Sequence, residues 1–328
     1  MMTKTAISSG KYRALQRAST TDGLFNIVAI DHQDALRRVL NPADPASITD
    51  HAMTEFKLDV IGSLNAGVSG VLLDPLYGAF QAINQQVLGH NGLLVELEKA
   101  DYQLEPMPLD VEIDADWNVG KIKQMGADGV KLFFYYNPDD LALCARQEKT
   151  VAQIGLDCVR HDIPFYAEPI VYQDKKNPTQ SHSYLVTESA RRIAPLNVDV
   201  LKLEFPVDVK TESDQAVWLE ACQAVTEAIT IPWVLLSAGV SFELFTQQLK
   251  VACQAGASGF IVGRALWGEV AQIADRAERL RWLQTLGKQR LDLLNAISAA
   301  YGTSWHDYYE GEAITPATFR HYGQGSNS

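Results

Sequence analysis

Eight short apolar runs, each followed by a longer amphipathic stretch, set the strongest limit on what this chain can fold into. Seven are unambiguous: FNIVAI (25–30), SGVLLD (69–74), GVKLFFY (129–135), PFYAEP (164–169), VDVLKLE (198–204), PWVLLS (232–237) and SGFIVG (258–263). For the eighth, LLVELE (93–98) is preferred over PLDVEI (108–113). Between the runs the apolar period changes to about 3.6 residues, as in HAMTEFKLDVIGSLNAG and FELFTQQLKVACQAG. Several of these stretches end in Ala-Gly or Gly-Ala (Ala66-Gly67, Gly126-Ala127, Ala255-Gly256-Ala257), where a left-handed glycine would turn the helix back into a strand. Near-continuous apolar strands alternating with helices mean a parallel sheet covered on its faces, and about eight units predict a single (β/α)8 TIM barrel with a C-terminal helical and polar extension. A doubly wound open sheet is the competing architecture. It is disfavoured because neither G-x-G-x-x-G nor a Walker lysine follows the first run.

The 328 residues, 47% of them hydrophobic, suit one barrel, read as an N-terminal segment (1–21), a barrel domain (22–300) and a C-terminal tail (301–328). With 28 Lys+Arg against 40 Asp+Glu, the formal charge of −12 argues against nucleic-acid or anionic-membrane partners and for a small molecule. No apolar run reaches the roughly 18 residues of a membrane span and the N-terminus lacks a signal-like apolar core, so a cytoplasmic protein is expected. Cys144, Cys158, Cys222 and Cys253 stand singly and read as buried reduced thiols, not a metal site. After Gly263 the chain reads as helical (267–300) and then as a polar tail. The tail aromatics Trp305, Tyr308, Tyr309, Phe319 and Tyr322 fit either the interface of a homo-oligomer or packing on the chain's own barrel.

Two lysines interrupt runs that otherwise read as fully buried: Lys131 in GVKLFFYY and Lys202 in VDVLKLEFPV. A lysine so placed must find a partner, line a cavity or lose its charge. One reading is a buried ion pair with Glu168 or Glu204. The other is amine chemistry, one lysine forming an imine and the other tuning it, with Glu168 moving protons. Barrel enzymes gather their sites where strands end, and the ends here offer Asp31, Asp74, Glu96 or Glu98, Lys131, Glu168, Lys202 with Glu204, Ser237-Ala238-Gly239, and Gly263-Arg264. For any single aspartate, such as Asp74, a helix cap is the commoner role. Small residues after PWVLLS and SGFIVG, with Arg264 beside them, read as a phosphate cradle.

The segments AIDHQDAL, LLDPLYG, ADGVKLFFYY, IPFYAEPIVY, VDVLKLEFPV, PWVLLSAGVS and GASGFIVGRALW resemble, in order and spacing, the class I tagatose-bisphosphate aldolases, a family that includes a sulfosugar-phosphate aldolase branch. The resemblance implies a Schiff-base aldolase that reversibly cleaves a ketose phosphate to dihydroxyacetone phosphate and an aldehyde. It implies Lys202 as the imine lysine, Lys131 as its neighbour, Glu168 as general acid/base and Asp31 as a ligand of substrate hydroxyls or of the lysines. It further implies phosphate contacts from Ser237, Ala238, Gly239, Gly263 and Arg264, with no metal and no cofactor, since the imine is the electron sink. A lyase or transaldolase using the same imine, and a low-turnover sugar-phosphate-binding regulator, remain as alternatives.

One position departs from the family: Asp-Gln-Arg at the first strand end is here Asp31-His32-Gln33. Gln33 cannot form the bidentate charged pair of an arginine, so the far end of the substrate is expected to be neutral or differently charged. Replacement cations would have to come from Arg37, Arg38, Lys175 or Lys176. His32, Gln33 and Asp74 complete the expected set of substrate-binding residues.

Overall fold

In the computed structural model, which describes residues 3–99, 109–173 and 179–322, eight parallel strands close into a barrel. A short outer strand, β1 (Thr5–Ile7), precedes them. The barrel strands are β2 (Phe25–Ile30), β3 (Gly70–Leu73), β4 (Gly92–Glu96), β5 (Gly129–Tyr136), β6 (Phe165–Val171), β7 (Val200–Leu203), β8 (Trp233–Leu236) and β9 (Gly259–Val262). Each pairs with its neighbours in sequence, and β9 closes the ring on β2, with Phe25 opposite Gly259. Every residue of β2, β3, β4, β5, β7, β8 and β9 is buried, which is why these runs are continuously apolar instead of alternating. The ambiguous eighth strand falls on the 93–98 run, as β4; residue 108 of the rejected 108–113 run lies outside the described residues.

Helices cover the outside, capped by residues at the turns: Thr49 accepts from the Ala52 N–H, Asp140 from Leu143, Ser181 from Tyr184 and Ser241 from Leu244. Gly126 and Gly256 adopt the expected left-handed conformation, whereas Gly67 closes a 3-10 turn without it. All four cysteines are buried and unpaired. Among the described residues no helix is long and apolar enough to cross a membrane.

The ends of the chain meet at the N-terminal floor of the barrel. The helix Ser9–Ala18 lies across it, with Ser69 Oγ donating to the Ala18 carbonyl at 2.8 Å and buried Lys11 paired with Asp199 at 2.7 Å. A tenth strand, β10 (Tyr309–Gly311), pairs in parallel with β1. The segment after residue 300 is thus not the polar tail expected. Trp305, Tyr308 and Tyr309 are buried against their own barrel, Trp305 Nε1 donating to Ser19 Oγ and Tyr309 OH to the Asp199 carbonyl. Phe319 and Tyr322, by contrast, are exposed. The stretch expected to be helical over 267–300 is largely so, interrupted before Arg276–Trp282, which starts afresh on an Asp275 cap.

Candidate active site

A cavity of about 240 Å³ opens at the C-terminal ends of the strands, where a barrel collects side chains from different strands. Lys202 reaches it from the middle of β7 and Glu168 from β6. Lys131, on β5, is completely buried just beneath. Glu168 joins the two amines: its Oε1 lies 2.8 Å from Lys202 Nζ and its Oε2 3.1 Å from Lys131 Nζ. Lys131 also meets Asp31 Oδ2 at 2.9 Å and Glu98 Oε1 at 2.5 Å, so three carboxylates surround one ammonium. The buried ion pairs of the first reading are thus present, with Glu168 as the shared partner, and one amine, Lys202, still faces the cavity.

The electrostatics separate the acids. Burial pushes the Asp31 carboxyl up, but the Lys131 and Lys202 charges outweigh it and hold Asp31 well below the usual carboxylate range. Glu204, on the cavity wall beyond Lys202, is pushed up to about 7 by burial and the Glu168 charge, against a 2.8 Å hydrogen bond from the Val171 N–H. Burial raises Glu98 despite Lys131, and raises Glu96 further because Glu98 and Asp31 add their charges. His32, beside Asp31 and edge-on to Trp267, is lowered to about 3 by burial and the Arg264, Lys202 and Lys57 charges. It is a neutral imidazole at neutral pH.

Across the cavity, Ser237, Ala238 and Gly239 follow β8, while Gly263 and Arg264 follow β9. Ala238 (φ 45°) and Gly239 (φ 74°) are both left-handed, turning the chain tightly at the mouth. The Arg264 guanidinium packs on Gly239: a Cβ there would lie 3.2 Å from Arg264 Cζ. The Gly263 N–H donates to Ser237 Oγ at 3.4 Å, tying the two turns together.

Two expected substrate residues are not brought to the cavity. Asp74 is fully buried in an ion pair with Lys57 and accepts the Tyr77 N–H at 2.6 Å, capping the turn Pro75–Ala79. It plays the cap role because a buried lysine behind it needs its charge. Gln33 turns its amide to Glu96 and does not line the cavity. Of the replacement cations, Arg37 is held by Asp34 and Asp50, Arg38 is likewise partnered, and Lys175 and Lys176 lie outside the described residues. The sequence reading missed Lys57, whose place in an amphipathic helix looks like any solvated position. It also missed the apolar wall of Phe133, Tyr135, Ile170, Leu236 and Ile261, which strand alternation could have supplied.

Fold and site together define a closed (β/α)8 barrel with two buried amines at its C-terminal mouth and, across the cavity, two tight turns beside an arginine. The chain belongs to the DeoC/LacD aldolase family, whose model matches residues 25–269. It is 32% identical over 327 residues to tagatose 1,6-diphosphate aldolase 2 of Enterococcus faecalis (strain ATCC 700802 / V583), covering 92% of this chain and 97% of that one. It is 31% identical to the tagatose 1,6-diphosphate aldolase of Lactococcus lactis subsp. lactis, covering 92% and 99%. A Schiff-base-forming fructose-1,6-bisphosphate aldolase shares the fold at TM-score 0.56 and 20% identity, over 89% of this chain and 99% of that one. So does the fructose-bisphosphate aldolase of Plasmodium falciparum, at 0.63 and 13%, over 95% and 99%. The protein is an aldolase of this family.

Proposed function

We propose that the protein cleaves a ketose phosphate reversibly to dihydroxyacetone phosphate and an aldehyde through an imine on Lys202. The observation that carries this is Glu168 bridging the two lysines, because it leaves one amine facing the cavity with a proton-transfer group in contact with it. Passing the Lys202 proton to Glu168 yields the neutral amine, which adds to the C2 carbonyl. Glu168 returns a proton to the carbinolamine hydroxyl, which leaves as water and gives the iminium. A base then takes the proton of the C4 hydroxyl, the C3–C4 bond breaks, and its electron pair moves into the iminium as an enamine while the aldehyde departs. Protonation at C3 and hydrolysis release dihydroxyacetone phosphate. Glu168 serves both proton steps because it touches the amine throughout.

Lys131 keeps the charge balance, and Asp31, ionised and adjacent, accepts hydrogen bonds from substrate hydroxyls. Ser237, Ala238, Gly239, Gly263 and Arg264 take the phosphate, as the loops after the last two strands often do in this fold. The relatives' tagatose 1,6-diphosphate activity supports a ketose of this kind. Four unpaired buried thiols support a reducing compartment, the cytoplasm. The test is incubation with dihydroxyacetone phosphate and borohydride, followed by peptide mapping. Reduced adduct on the Lys202 peptide is expected; adduct elsewhere, or none, overturns the assignment.

A further inference from the structure

Glu204 stands two residues beyond Lys202, just past the end of β7. Side chains alternate along a strand, so the two fall on the same side, with Glu204 about 7 Å nearer the mouth. Both line the cavity, and Glu204 is partly exposed. Its Oε2 accepts the Val171 N–H of β6 at 2.8 Å, which fixes the carboxyl between β6 and β7. The turns assigned to the phosphate follow β8 and β9, on the other side of β7 in the ring. A ketose with its C1 phosphate in those turns and its C2 on Lys202 therefore extends C3 and C4 to the β6 side, where Glu204 is held.

We infer that Glu204 is the base that takes the C4 hydroxyl proton in the cleavage step and returns it to C3 of the enamine. This deepens the aldolase reading and rests on it. The O–H bond breaks toward the Glu204 carboxylate, the O–H electron pair closes the aldehyde carbonyl, and the C3–C4 pair moves into the iminium. Once the aldehyde has left, the carboxylic acid delivers the same proton to C3, which regenerates both the carboxylate and the iminium that water then hydrolyses. The other carboxylates and the imidazole lining the cavity suit this step less. Glu168 turns its two oxygens to ammonium nitrogens at 2.8 and 3.1 Å. Asp31 meets Lys131 at 2.9 Å and lies well below the usual carboxylate range, and His32 is lowered to about 3, so each is a weak base. Glu204, pushed up to about 7, can both accept a proton and give it back near neutral pH.

The experiment follows three readouts in the natural protein and in Glu204→Gln, which keeps an oxygen for the Val171 N–H. They are borohydride trapping of dihydroxyacetone phosphate, exchange of its C3 proton in deuterated water, and cleavage of tagatose 1,6-bisphosphate or tagatose 1-phosphate, whichever the natural protein turns over faster. Trapping on Lys202 is expected to persist in Glu204→Gln, while C3 exchange and kcat for cleavage each fall by about a hundredfold or more, the usual contribution of a positioned base. The natural kcat/KM should rise with pH through about 7, where the base loses its proton, and Glu204→Gln should lack that limb. Glu204→Asp, which keeps a carboxylate at shorter reach, should restore part of the rate together with the limb, and it carries the test if the glutamine variant does not fold. Exchange and cleavage within about threefold of natural in Glu204→Gln overturn the inference. So does adduct yield falling in step with cleavage in both variants, since Glu204 would then be supporting Lys202 and not touching C4. Failure of the natural protein to trap any adduct would instead overturn the imine reading beneath it, so the two failures are distinct.

Discussion

Lys131 Nζ lies 2.9 Å from Asp31 Oδ2, with the lysine fully buried and the aspartate nearly so, at the centre of a set of acids that includes Glu98 and Glu168. Removing that one ammonium leaves Asp31 and Glu98 without their cation in a dry interior, while Glu168 keeps Lys202 alone. Lys131→Met is therefore expected to lower stability by roughly 3–5 kcal/mol, the usual cost of breaking a buried pair. Denaturant titration of the variant against the natural protein measures it; a loss under about 1 kcal/mol would show that water or proton uptake replaces the lysine.

Lys202→Met separates chemistry from folding. Glu168 still has Lys131 when Lys202 is gone, so the stability loss is expected to be smaller than for Lys131→Met. Turnover should fall by at least about a thousandfold, and the borohydride adduct should vanish, because no other amine faces the cavity among the described residues. Retained turnover in Lys202→Met would reassign the imine.

Much of this was legible in the chain because burial leaves a mark on composition. Strands such as β3 and β8 are buried at every position, so they are apolar at every position, and a lysine or glutamate within such a run is conspicuous. Pairing leaves no such mark. Asp74 belongs to Lys57 and Gln33 to Glu96 across 17 and 63 residues of sequence, and only the closed barrel brings these partners together. The same holds for Trp305, which reads as part of a polar tail until the floor of the barrel covers it. Sequence marks which residues must be buried or charged; the fold decides whom they meet.

Glu204 gives the stability a pH dependence of definite sign. Its folded pKa, about 7, lies above the ordinary 4.5, so between those values the folded state holds a proton that the unfolded chain has released. The unfolding free energy contributed by this group therefore falls as pH rises from about 4.5 to about 7, then levels off. The full span is about 3 kcal/mol at 1.36 kcal/mol per pKa unit. Glu204→Gln should remove this slope, seen as the difference between the two proteins' denaturant midpoints from pH 4.5 to 8. A constant difference across that range would mean Glu204 titrates normally.

Gly239 couples backbone geometry to anion binding. At φ 74° an alanine is strained by roughly 1–2 kcal/mol, and its Cβ would press on Arg264 within 3.2–3.4 Å. Gly239→Ala should raise KM for a phosphorylated substrate by about tenfold with a smaller change in kcat, as lost ground-state binding does. Arg264→Ala should do the same, and the double variant should cost less than the sum because both act through one guanidinium. Full additivity would separate the turn from the arginine.

The floor of the barrel is tested at Gly92, the first residue of β4. A Cβ there would sit 2.5 Å from Ala18 Cα and 2.8 Å from Ala18 N, backbone atoms that cannot swing aside, so the helix Ser9–Ala18 has to lift. That helix carries Lys11 onto Asp199 and receives the Ser69 hydroxyl on its last carbonyl, so lifting it disturbs contacts with three strand starts together. Gly92→Ala is expected to lose about 1–3 kcal/mol by overpacking. The active-site acids and amines lie at the opposite ends of the strands, so kcat measured well below the melting transition should be unchanged. A fall in kcat at unchanged melting temperature would show that strain at the floor reaches Glu96 along β4, and from there Gln33.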